Sequence, residues 1–121
     1  MERATHMSSV WLEMFERQRA HWKTDSKRYT VTNPTEIHSI LCLSIISEVI
    51  EVLDCISWKL HRARLNKPRE ELLEELIDIF KFWLCLVIHH GFDADDIVAM
   101  FRMKSDIVEE RARNEDNDAT T

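Results

Sequence analysis

The chain reads as all-α, an antiparallel bundle of four main helices, on two observations. It has a single glycine and two prolines in 121 residues, whereas β architectures dense in turns need far more of both. Its apolar residues gather in long runs, LCLSIISEVIEVLDCISW from Leu41 and LLEELIDIFKFWLCLVI from Leu72. A chain of this size holds one modest core, so residues 1–121 read as a single helical domain with flexible ends at 1–8 and 114–121.

Ser8 or Ser9 can cap a first helix running to about Lys23, with Val10, Met14, Phe15, Gln18 and Trp22 along one side. The segment TDSKRYTVTNP, residues 24–34, is a polar loop, and Asn33 or Thr35 marks the next start. The second helix is predicted from Thr35 to about Arg64, roughly 45 Å long with a bend or break near Ser57. Pro68 suits the first turn of the third helix, which ends at Gly91 after His89 and His90. The tight Asn66-Lys67-Pro68 connection makes the second and third helices antiparallel neighbours. Asp93 caps a fourth helix that reaches about Arg113. The two middle helices expose more apolar circumference than a small four-helix monomer covers, which predicts a homodimer or a pair of dimers.

Inside the greasiest stretches lie two acidic pairs, Glu48 with Glu51 and Glu75 with Asp78. Each has i, i+3 spacing, which puts both acids on one helix face. An arbitrary pair of this kind is usually a solvated stripe. Here Ile45, Ile46, Val49, Ile50, Val52 and Leu53 surround the first pair and Leu72, Leu73, Leu76, Ile77, Ile79 and Phe80 the second, leaving little circumference for water. A carboxylate in such a setting is normally neutralised, paired or metal-bound. All-oxygen ligands suit Mg²⁺ or Mn²⁺ far better than zinc or iron, so the four acids point to a divalent-metal site between two helices. Glu71 and Asp54 are candidates for an extra ligand, and Glu74 is read as facing solvent. A helical di-iron site asks for Glu-x-x-His on two helices, and no ExxH occurs in the chain. His38 and His61 read as surface residues and His89 and His90 as partners of a helix C-terminus.

The formal net charge of −6 disfavours nucleic acid as a partner, because phosphate binding needs a basic face. Cys42, Cys55 and Cys85 are odd in number, form no CxxC and lie in apolar helical patterns, which reads as buried thiols of a reducing cytoplasm. No secretory leader pattern opens the chain, and acids interrupt its longest apolar run, so a soluble, cytoplasmic protein with no membrane partner is expected.

Glu48-x-x-Glu51, then Glu75-x-x-Asp78, then Lys104 and Arg111 on a following helix resembles the all-α nucleoside triphosphate pyrophosphatases, the superfamily of MazG and the dimeric dUTPases. SEVIEVLDCISWK, EELIDIFKFWLCLVIHHGF and the N-terminal MFERQ look most like the dimeric dUTPase branch and its small phage-type relatives, so the resemblance covers roughly residues 10–113. It implies cleavage of a nucleoside triphosphate to monophosphate and pyrophosphate, with attack at the β-phosphorus. It also implies two or three Mg²⁺ ions held by Glu48, Glu51, Glu75 and Asp78. Among these acids Glu48 is nominated as general base. Lys104 and Arg111, seven residues apart on one helix face, would grip phosphate oxygens, and Lys59 would add a further contact.

The departures from the dUTPase pattern concern the base. That branch usually carries Gln-x-x-Leu-Asn on its first helix and Lys-x-x-x-Asn-x-x-Arg on its last. Here Trp22 and Val108 stand at the two asparagine positions. Trp22 can stack on a base but lacks an amide's paired donor and acceptor. Small MazG-like relatives, among them the MazZ group, act on purine deoxynucleotides. A purine deoxynucleoside triphosphate, dGTP or dATP, therefore leads as the expected substrate. Gln18, Trp22, Trp58 and Val108 are the candidate base contacts, while Trp11 and Trp83 are read as packing. dUTP hydrolysis and a broad housekeeping activity are the alternatives. A non-enzymatic helical assembly module, its acids paired with Lys59, Arg62 or Lys81, is the rival from another class.

Overall fold

A computed structural model describes residues 2–29, 33–56 and 67–120, with the side chains of 9–29, 33–56 and 67–118. The described residues form four helices, α1 (Glu2–Asp25), α2 (Pro34–Asp54), α3 (Arg69–His89) and α4 (Ala94–Thr120), with a 3₁₀ turn at Ser26–Arg28 after α1. The described residues contain no strand. They form two compact units, residues 1–91 and 92–121.

In the first unit, α1 buries a stripe at helical spacing: Phe15, Gln18 and Trp22 are buried and Trp11 half-buried. Val10 and Met14, expected on the same side, are exposed instead. Phe15, Gln18 and Trp22 lie inward as expected, because it is the aromatic rings and Gln18 that meet α3. Trp11 packs against both Phe15 and Phe80, at 6.1 and 6.3 Å between ring centres. α1 also starts earlier than the sequence suggested, at Glu2, since nothing in ERATHM breaks a helix.

Asn33 caps α2, its side-chain oxygen accepting from the Thr35 amide at 2.9 Å, with Pro34 at the first helical position. The helix ends at Asp54, ten residues before the expected Arg64 and just ahead of the anticipated break near Ser57. There the Cys55 amide turns back to the Val52 carbonyl, and the Lys67 amide donates to the Cys55 carbonyl at 2.9 Å, tying the end of α2 to the approach to α3. At the opposite end His89 Nε2 lies 2.9 Å from the Pro34 carbonyl and His38 Nδ1 lies 2.8 Å from His90 Nε2. These two sets of contacts fix α2 and α3 as antiparallel neighbours. His38 and His90 thus form a hydrogen-bonded pair at the helix ends.

α3 stops where Gly91 takes φ +83°, a conformation that a side chain resists, and its amide closes onto the Ile88 carbonyl at 3.0 Å. Phe15, Leu41, Leu84 and Cys55 are the largest fully buried side chains, and Trp22, Leu41 and Cys85 form a cluster flanked by Tyr29, Ile37, Phe82, Leu86 and Ile88. In the second unit, Asp93 and Asp96 cap α4 reciprocally, each side chain accepting the other's amide at 2.9 Å. α4 continues to Thr120, beyond the expected Arg113, as no glycine or proline interrupts it. No described helix is long and apolar enough to cross a membrane.

Candidate functional site

The antiparallel packing of α2 on α3 joins the two acidic pairs. Glu48 and Glu51 lie on α2, Glu75 and Asp78 on α3, and carboxylate oxygens of Glu48, Glu51 and Glu75 converge within 4.8 Å of one another. Asp78 adds its charge beside both Glu48 and Glu75. One oxygen of Glu48 and one of Glu75 are buried without any hydrogen-bond partner. Among the described residues no ion pair joins these acids to a lysine or arginine. Buried acceptors left unmatched at a convergence of negative charge are costly, and a hard divalent cation with oxygen ligands satisfies them. The donor set fits Mg²⁺ or Mn²⁺.

The electrostatics follow from this crowding. Desolvation pushes the Glu48 carboxyl above its ordinary range, and the charges of Glu51, Asp78 and Glu75 push it the same way. Glu75 is also raised, first by the hydrogen bond it shares with the Glu51 carboxyl and then by desolvation, with Lys67 opposing.

Along α3 the next residues line a groove of about 280 Å³ facing α1. Ile77, Phe80 and Leu84 of α3 meet Met14, Gln18 and His21 of α1, with Arg17 and Lys81 also in its walls. Lys81 follows Asp78 by three residues, about 4.5 Å along the helix axis. The groove thus offers an apolar aromatic surface, one amide and three basic side chains. Its lining is drawn from two helices, so Phe80, Lys81, Arg17 and His21 had no common spacing that would have marked them in the sequence.

Gln18 lies in the groove wall, buried, with its Nε2 donating to Cys85 Sγ at 3.0 Å. Trp22 is turned inward: it is only 8% exposed, packed with Leu41 and Cys85, and its ring lies 5.7 Å from that of Tyr29. The core takes up its faces. Lys104, Val108 and Arg111 are exposed on α4, in the second unit. Trp58, Lys59, His61 and Arg62 fall outside the described residues.

A family model described as dUTPase matches residues 10–117. No curated protein matches the chain significantly, and no solved structure does.

Proposed function

The chain belongs to the all-α dUTPase family of nucleotide pyrophosphatases related to MazG, and from that premise we propose that it hydrolyses a deoxynucleoside triphosphate to monophosphate and pyrophosphate with Mg²⁺ or Mn²⁺. The observation that carries the metal requirement is the cluster of Glu48, Glu51 and Glu75 oxygens within 4.8 Å, two of them buried and unpartnered. Glu48, Glu51, Glu75 and Asp78 hold the cations, two or three of them. Bound there, the divalent ions supply neutralisation of the phosphate oxygens and acidification of a coordinated water. Glu48, one of the two half-buried acids of the cluster, receives the proton of the attacking water. Lys104 and Arg111 hold phosphate oxygens, with Lys59 as a further contact.

The groove between α1 and α3 receives the base. Phe80 gives it a ring to lie on, Gln18 a hydrogen-bonding amide, and Lys81 and Arg17 positive charge toward the phosphates. Trp22 supports Cys85 from within the core, which leaves Gln18 as the base contact on α1. A purine deoxynucleotide ranks first because Trp22 and Val108 replace both asparagines of the dUTPase pattern. The second reading, dUTP, is favoured by the family match itself.

The working enzyme is a homodimer or a pair of dimers. Leu43, Ile46, Ile50 and Leu53 are exposed along α2 at a spacing that makes one seam, and Leu73 and Leu76 are exposed on α3. A panel of common NTPs and dNTPs, assayed with and without Mg²⁺ or Mn²⁺, tests the reading. Metal-dependent release of monophosphate and pyrophosphate supports it. If Mg²⁺ and Mn²⁺ neither bind nor raise thermal stability, and no nucleotide is cut, the helical assembly module replaces it.

A further inference from the structure

The Gln18–Cys85 contact joins two buried groups across α1 and α3, Gln18 being 7% and Cys85 6% exposed. A buried amide must place its donors and its acceptor on matching partners. Here the Nε2 arm is committed to Cys85 Sγ at 3.0 Å, and the Oε1 arm of the same planar group points away from it. Cys85 cannot swing aside, because Trp22 and Leu41 pack around it. The opposite end of this arrangement is the groove, whose wall Gln18 forms.

We propose that Cys85 is a positioning residue for base recognition: its thiol holds the Gln18 amide with Nε2 inward, so the groove meets Oε1, an acceptor, and takes a base edge that carries an N–H donor. The inference rests on reading the groove as the base pocket. Sulfur is a weak partner, but in a site without competing water a weak bond is enough to choose between two orientations of a side chain. Burial pushes the Cys85 thiol upward in pKa, so it meets the amide as a neutral group at physiological pH. An amide fixed in this way discriminates against any base whose facing edge offers only acceptors, since Oε1 would then be left buried and unpaired.

Two readouts test this, one of them independent of turnover. In a spectrum of protein carrying ¹⁵N-labelled glutamine, the Gln18 NH₂ signals are those lost in Gln18→Ala. They are expected to exchange slowly with water, to shift in Cys85→Val, and to stay near their original positions in Cys85→Ser, which keeps an acceptor. In kinetics, the best nucleotide of the panel is compared with its analogue methylated at the N–H of its pairing edge. The native protein should prefer the unmethylated form by at least about tenfold in kcat/KM, through KM. Cys85→Val should bring the two to within about threefold with little change in kcat, Cys85→Ser should restore the preference, and Cys85→Val should add nothing in a Gln18→Ala background. Cys85→Ala repeats the comparison if the valine variant does not fold.

Gln18 NH₂ signals that exchange rapidly and ignore Cys85→Val would overturn the proposal, because the thiol would then be donating to Oε1 and the NH₂ would face the groove. Equal kinetic effects of valine and serine would overturn it as well. Absence of turnover with every nucleotide overturns the base-pocket reading and the specificity role with it, while the spectrum still decides whether the thiol holds Gln18.

Discussion

Glu48 and Glu75 make the metal-free protein sensitive to pH in a direction opposite to that of a salt-bridged acid. Both are held above the ordinary carboxylate range in the folded chain, so between that range and their raised values the folded state binds more protons than the unfolded one. Stability contributed by these two groups therefore falls as pH rises through this window. Below the ordinary range both states are protonated and the penalty is absent. Thermal melts of metal-free protein should show Glu48→Gln and Glu75→Gln gaining stability over the native chain at neutral pH, with the gain vanishing toward acid pH. Saturating Mg²⁺ should reverse the order. Glu51→Gln and Asp78→Asn should cut turnover by more than roughly a hundredfold while leaving helical content unchanged in circular dichroism. The acids were legible because a charge in an apolar run is an anomaly of single residues. Trp22 was not: an aromatic next to a loop fits a ligand platform and a core equally well until its neighbours Leu41 and Cys85 are placed.

Helix ends were readable wherever one residue type does something that others cannot. Asn33 caps α2 and Gly91 ends α3 in the left-handed region, as their chemistry suggested. Asn33→Ala should cost about 1 kcal/mol in urea unfolding. Gly91→Ala should cost about 1–2 kcal/mol from the backbone alone, since no atom lies within 4 Å of an added Cβ. Where no such residue stands, composition misled. VLDCISWK holds no glycine or proline to fix the break expected near Ser57, and α2 ends at Asp54, where the Cys55 carbonyl is taken by the Lys67 amide. On α1, Phe15, Gln18 and Trp22 lie inward as expected while Met14 does not, because Met14 and Phe15 are equally apolar and only α3 decides between them. Leu41, fully buried between the helices, is the sensitive core position, and Leu41→Ala should cost roughly 2–5 kcal/mol in the same measurement.

For the whole molecule, the proposed association rests on the exposed seam of Leu43, Ile46, Ile50 and Leu53. Ile50→Glu should convert a dimer or tetramer to monomer in light scattering, and a concentration-independent monomer mass for the native chain would remove the oligomer from the account. The fold class could be read from the scarcity of glycine and proline, and each acidic pair from its spacing along one helix. The groove could not, as it is assembled by α1 and α3 together. The proposed function needs that groove and those acids to act as one metal-dependent nucleotide site. Its most direct measurement is ³¹P NMR of the dNTP panel incubated with native protein and with Glu51→Gln, in Mg²⁺ and in chelator. Monophosphate and pyrophosphate are expected from at least one deoxynucleotide with native protein in Mg²⁺ only. Hydrolysis undiminished in Glu51→Gln or in chelator, or no product from any nucleotide, would contradict it.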